Sequence, residues 1–333
     1  MDRGTSWKRS RYVAVTTLTV VERSAGVDRS GTAAGVSMAP ARAPLPSRLG
    51  SAARRVGLLL SILLGVVVGP AAVQADDAEG HYRLALAHKR AGRTARALAE
   101  VRRALELRPA FAEARFTEGS LERASGNHEA ALRAFHAFVE LRPREARGHA
   151  MVGAMLVRLR RYGDAIDPLK EAVRLDADDT ASRANLGLAL RRAGRTDEAI
   201  RVLEAGLIQH PGDVGLLNNL AVALRSQSRH EEAIAILEGA IDEGARDPQL
   251  FLNLGILFRS IERWEDAIPH YERAVELEPG LAPALFDLGV CHERLGHTDE
   301  AVAAYQRYID AVADRDPRAA RNAERSIDRL RGR

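Results

Sequence analysis

The sequence predicts an all-α protein, a solenoid of seven stacked helical hairpins followed by a C-terminal capping helix, and three observations predict it. One hairpin can be read directly from Pro248 to Leu281. Leu250, Leu254, Leu257 and Phe258 mark one helical stripe, Ile261 to Arg263 break it, and Ala267, Ile268, Tyr271, Ala274 and Val275 mark a second. Glu278-Pro279-Gly280 then stops the chain, because proline offers no amide for another turn. The second observation is recurrence every 34 residues: Ala97, Ala131, Ala165, Ala199, Ala233, Ala267 and Ala301 form one column, and Ala85, Gly119, Gly153, Gly187, Ala221, Gly255 and Gly289 another. The third is physical need. A hairpin of this size cannot bury both of its stripes alone, so it requires copies on either side.

The small columns let helices approach where they cross. A third column, Val101, Phe135, Leu169, Leu203, Leu237, Tyr271 and Tyr305, is bulky throughout and is expected to fill the groove between hairpins. Pro109, Pro143, Pro211 and Pro279 close four of the repeats, with Ala177, Ala245 and Ala313 at the other three steps. This interval and its small, small, bulky, proline order resemble the tetratricopeptide repeat. The resemblance implies a right-handed α-α superhelix, with first helices on the inner, concave wall and second helices on the outer one. It covers residues 78 to about 316.

In chain order, residues 1–37 show no sustained periodicity and read as a disordered or mis-assigned extension. Residues 38–75 read as a signal peptide. Arg42, Arg48, Arg54 and Arg55 precede an uncharged apolar run from Val56 to Gly69, and Val73-Gln74-Ala75 offers a small-residue cleavage site. Translation from Met38 and cleavage after Ala75 would give an exported, periplasmic or secreted chain. The alternative is an uncleaved anchor over residues 56–75, long enough to cross a bilayer core. Both readings place the repeats outside the cytoplasm, because the arginines stay inside. The repeats are expected at 78–111, 112–145, 146–179, 180–213, 214–247, 248–281 and 282–315, and residues 316–333 form the cap and tail.

Several departures from the family pattern carry expectations. The early tryptophan is replaced by His81, Arg115, His149, Arg183, Leu217, Phe251 and Leu285, and Glu118 stands for a leucine, which predicts a loose second repeat. Phe138 and Tyr308 occupy a column that is small at Ala104, Ala172, Ala240 and Ala274, so helix spacing should open there. Pro168 and Pro269 fall early in second helices, where a lost amide costs less. Gly92, Gly126, Gly194 and Gly296 predict left-handed turns, with Thr or Asp capping the next helix. The turns at Arg160-Arg161, Ser228-Arg229 and Glu262-Arg263 lack the glycine and should be less sharply defined.

Charge and motif content narrow the function. The whole chain is net +4, but its first 75 residues hold ten Lys or Arg against three Asp or Glu, so the remainder, with 39 basic and 42 acidic residues, is net −3. A mixed, mildly acidic body lacks the single-sign field that nucleic acid requires, and no nucleic-acid partner is expected. The ten histidines are scattered without HExxH or paired-ligand spacing, and no phosphate loop or GxSxG occurs. The sequence therefore predicts no catalytic residues, no metal and no cofactor. Its lone cysteine, Cys291, reads as a small buried thiol.

What remains is a periodic surface. Asn185, Asn219 and Asn253 recur one repeat apart on first helices, with Asp287 next in the column, and Arg191, Arg225 and Arg259 follow six residues later. An asparagine carries both donor and acceptor, so such a column can hold a peptide backbone without reading its sequence, and the arginines favour carboxylates. The resemblance implies a similar use. The expected function is a non-enzymatic scaffold that binds an extended peptide or helix of a partner protein. The alternatives are an envelope assembly factor using the outer wall, or a specificity module of the kind found in glycosyltransferases that carry this repeat.

Overall fold

The structure, a computed structural model, describes the chain from Pro70 to Gly332, with side chains from Asp77 onward. The expected extension at 1–37 and most of the expected export segment lie outside the described residues. Those residues form fifteen helices joined by short turns and no strand. Seven first helices alternate with seven second helices. The first helices are α1 (Pro70–Arg90), α3 (Ala112–Ala124), α5 (Ala146–Arg158), α7 (Thr180–Arg192), α9 (Val214–Ser226), α11 (Pro248–Ser260) and α13 (Ala282–Leu295). The second helices are α2 (Thr94–Leu107), α4 (His128–Leu141), α6 (Tyr162–Leu175), α8 (Thr196–Gln209), α10 (His230–Asp242), α12 (Trp264–Leu277) and α14 (Thr298–Val312). The last helix, α15 (Pro317–Arg331), packs on α14. From α2 onward, each helix touches the next in the chain, as a repeat array requires. The result is an all-α superhelix.

The alanine column explains the spacing. All seven of its members are fully buried. The glycine column meets the bulky column. A β-carbon on Gly119 would lie 2.7 Å from Phe135, on Gly153 2.4 Å from Leu169, on Gly187 2.7 Å from Leu203, and on Gly255 2.7 Å from Tyr271. Each of these bulky residues thus presses on the glycine of its own hairpin, and Tyr271 also reaches Asp287 of the next hairpin. Where the column holds Ala85 and Ala221, the bulky positions are Val101 and Leu237, which share their buried clusters.

Phe138 is fully buried. The next hairpin answers it with Gly148, whose β-carbon would fall 2.7 Å from the Phe138 ring. Two repeats on the exchange is reversed. Gly206 stands in the Phe138 column, and Leu216, in the Gly148 column, fills the space, 2.8 Å from where a Gly206 β-carbon would be. Volume is conserved across the junction while the bulky side changes, as close packing demands. In the second repeat the Glu118 carboxylate lies 3.2 Å from Arg115, and the neighbouring buried Glu122 pairs with Arg102 at 2.7 Å.

The turns also correct the reading. Gly92, Gly126, Gly194 and Gly296 are left-handed as expected, but so are Arg160, Ser228 and Glu262, with φ of 59°, 58° and 60°. One turn geometry serves both kinds, because the hairpin fixes the direction of the exit. No second helix has a side-chain cap. The residue before its first turn is most often arginine, and Arg161, Arg195, Arg229 and Arg263 instead reach acids three residues on at 2.6 to 2.9 Å. Aspartates cap first helices: Asp179, Asp213 and Asp247 accept from amides at Ser182, Leu216 and Gln249. Pro168 and Pro269 sit past the first turn, inside α6 and α12, so each removes one helical hydrogen bond.

At the C-terminus, Asp316 accepts from the amides of Arg318 and Ala319, and Pro317 takes the first helical position, where its missing amide is harmless. Ala320, Ala323, Ile327 and Leu330 then cover Ala301, Tyr305 and Ile309. The outer face of α15 is charged, so the last hairpin ends on a soluble surface.

Candidate functional site

Neighbouring first helices touch one another: α5 meets α7, α7 meets α9, α9 meets α11, and α11 meets α13. Second helices make no comparable contact with the next second helix. The first helices therefore form the shorter, inner side of the array and present one continuous face. Because they repeat every 34 residues, the same position of each helix recurs along that face.

The structure describes every residue of the expected binding column, and several have partners within the protein. Asn185 on α7 is half-buried and makes no hydrogen bond among the described residues. Asn219 on α9 donates through Nδ2 to the Gly215 carbonyl one turn back, at 2.8 Å. Asn253 on α11 donates to Oδ1 of Asn218 on α9, at 2.7 Å, and so ties two first helices together. Asn219 and Asn253 keep their carbonyl oxygens as acceptors.

Asp287, Tyr271 and Arg259 meet where α11, α12 and α13 come together. The Arg259 Nε donates to the Tyr271 hydroxyl at 3.3 Å, and that hydroxyl donates to Asp287 Oδ2 at 3.2 Å. Arg259 Nε also lies 3.5 Å from the same carboxylate oxygen. Burial pushes the Asp287 carboxyl above its ordinary range, against the pull of Arg259 and the Tyr271 hydrogen bond. Burial opposes the charge on Arg259, yet Asp287 and Tyr271 outweigh it and hold the guanidinium above its usual value. Beneath them Cys291 is buried, and burial, with Asp287 adding, pushes its thiol up to about 12. A thiol held protonated in this way is chemically quiet.

Arg191 and Arg225 differ from Arg259. Neither has an ion pair among the described residues. Burial, with Arg192 and Arg225 beside it, lowers the Arg191 value, and its Nε has no acceptor. The face thus passes from an internally neutralised end at Arg259 and Asp287 to a cationic stretch at Arg191, Arg192 and Arg225.

Sequence reasoning missed three groups here: Asn218, Tyr271 as a hydrogen-bonding residue, and Tyr162, whose ring lies 5.9 Å from the Arg192 guanidinium. The Asn218-Asn219 doublet was a visible signal. Tyr271 was hidden because its column is otherwise apolar until Tyr305. Among the described residues, no group of three or more His, Cys, Asp or Glu is placed to hold a metal. No described helix is long and apolar enough to cross a membrane.

Sequence profiles for the tetratricopeptide repeat match residues 116–180, 185–248 and 252–320, more than half of the chain, with further matches over 156–213 and 78–111. Among solved structures, a tetratricopeptide repeat protein from Parabacteroides merdae is similar with a TM-score of 0.63 at 12% identity, covering 77% of this chain and 99% of that one. Yeast Tom70 is similar with a TM-score of 0.55 at 16% identity, over 84% of this chain and 58% of that one. Pseudomonas aeruginosa pilF has a TM-score of 0.50 at 20% identity, over 63% and 96%. At these identities the likeness shows the fold alone. No curated protein matches the chain significantly.

Proposed function

The chain belongs to the tetratricopeptide repeat family, and from that premise we propose that it is a non-enzymatic scaffold holding an extended segment of a partner protein along its first-helix face. One observation carries this reading: successive first helices touch, so acceptors and cations recur in register on a continuous surface. The free carbonyl oxygens of Asn219 and Asn253 and the uncommitted Asn185 amide suit a peptide backbone. Arg191 and Arg225, without carboxylates of their own, favour an acidic stretch. The same reading puts the repeats outside the cytoplasm, on the strength of the basic and apolar pattern over residues 38–75.

A photo-crosslinking residue at Asn219, compared with one at Glu238 on the exposed outer side of α10, tests it in an envelope extract. Crosslinks from position 219 alone, weakened when Arg191 and Arg225 are both changed to alanine, are the expected result. Crosslinks from position 238 alone would overturn the proposal in favour of outer-wall assembly. Mass spectrometry of the mature amino terminus checks export. Translation from Met38 and a mature chain starting at Asp76 are expected; any peptide from residues 1–37 would remove the start at Met38, and a mature chain that keeps residues 56–75 would remove the cleavage.

A further inference from the structure

The column where this family carries a tryptophan holds four polar residues here, and three of them have partners suited to their chemistry. His81 Nδ1 lies 2.6 Å from Glu100, Arg115 lies 3.2 Å from Glu118, and His149 bonds the Pro143 carbonyl at 2.8 Å. The fourth, Arg183, is only 7% exposed and has no carboxylate. One terminal nitrogen donates to the Ala177 carbonyl at 2.8 Å, and its buried Nε has no acceptor at all. The other buried charge in the body, Glu122, shows what completion looks like: it is met by Arg102 at 2.7 Å and by Asn127 at 2.8 Å. A cation so enclosed, with one carbonyl partner and no opposite charge, is placed to receive a counter-charge from outside the chain.

The surroundings are shaped for one. Gly206 on α8 makes room for Arg183, since a β-carbon there would lie 2.4 Å from the arginine Cδ. A cleft of about 380 Å³ opens above, between second helices α6 and α8 with α7 at its base. Lys170, Arg174, Arg183 and Arg201 line it against one acid, Glu198. Glu198 is already taken by both arms of Arg195, at 2.7 and 2.8 Å, and Arg174 is taken by Glu171, at 2.6 and 2.7 Å. Arg201 has no ion pair, and Lys170 reaches Glu198 only at 3.9 Å. Lys170, Arg183 and Arg201 therefore line one cleft, and Glu198, already held by Arg195, is the one acid near them.

We propose that this cleft binds an oxyanion of the phosphate class, with Arg183 as its buried base and Lys170 and Arg201 closing on it from the two rims. A tetrahedral dianion offers several acceptors to the planar guanidinium fork and neutralises more than one cation at once. The site faces the second helices and does not depend on the first-helix face. It stands or falls separately from the scaffold reading.

Titration calorimetry and thermal unfolding of the full chain, with inorganic phosphate against chloride at matched ionic strength, test it. Phosphate should bind and raise the unfolding midpoint. Arg201→Ala and Lys170→Ala, both on exposed rims, should each weaken binding about tenfold without changing the phosphate-free midpoint. Arg183→Leu, which installs the residue found at Leu217 and Leu285, should abolish binding while leaving that midpoint equal or higher. A phosphoserine peptide run beside inorganic phosphate tells a partner-borne phosphoryl group from the free ion, and tighter binding of either supports the site. Absence of any phosphate response in the native chain, or an undiminished response in both Arg201→Ala and Arg183→Leu, would overturn it.

Discussion

A β-carbon on Gly153 would sit 2.4 Å from Leu169, while one on Gly239 in α10 would meet nothing within 4 Å. The same substitution therefore has opposite signs at the two sites. Gly153→Ala should destabilise by about 1–3 kcal/mol through overpacking. Gly239→Ala should stabilise by about 0.5–1 kcal/mol, because a helix interior with open space for a β-carbon gains from a residue that loses less freedom on folding. Urea unfolding of the two variants checks this. A titration prediction belongs at this scale too. His270 stacks on Phe258 with ring centres 5.2 Å apart, and burial holds its value below the ordinary 6.5, opposed by Asp266. The unfolded chain then takes up the proton first, so this part of the stability falls as pH drops through and below 6.5. His270→Phe should flatten the unfolding midpoint between pH 7 and pH 5, a comparison that thermal melts can make directly. The small columns were legible at this scale because a fixed interval exposes them. The Phe138–Gly148 exchange was not, because it crosses columns and only the contact shows which two trade volume.

At the scale of elements, the turn is the informative unit. Glycine in the sequence marks a left-handed link, but Arg160, Ser228 and Glu262 take the same conformation. Their presence shows that stacking imposes the turn and that local propensity follows, at a cost that glycine would relieve. Ser228→Gly or Glu262→Gly should therefore stabilise by about 0.5–1 kcal/mol, read from the denaturation midpoint. Gly194→Ala, at a φ of 80°, should do the reverse. The missing caps of second helices were illegible for a related reason. Thr94, Thr196 and Thr298 look like caps in sequence, yet each is the first helical residue, one step too late for its hydroxyl to serve. The Asn column was legible as a pattern. That Asn253 spends its amide on Asn218 could not be read, because that bond joins residues 35 apart on different helices.

At the scale of the molecule, the buried apolar side chains of the described residues fall into separate clusters rather than one core. The largest runs from Ile200 to Ala304, a second from Ala131 to Ala199, a third from Ala85 to Leu121, and the last links Ala301 to Leu330. Buried polar residues interrupt the apolar stacking: Thr117 and Glu122 near the first boundary, Ser182 and Arg183 near the second. Stability in a repeat array is a sum over units and the interfaces between them, so a weak interface lets one end open without the other. Hydrogen exchange should show amides of α2 and α3 opening before those of α9, α11 and α12. Uniform protection along the array would contradict this division.

The trade of volume between Phe138 and Gly148, and its mirror at Gly206 and Leu216, has a consequence for the gene. Repeats are ordinarily free to multiply or vanish by unequal recombination, since one copy substitutes for another. Here an in-frame loss of residues 146–213 would set Phe138 against Leu216, two large side chains where the lattice admits one. At this junction the order of the units has become heritable information, because the copies on its two sides no longer substitute for one another.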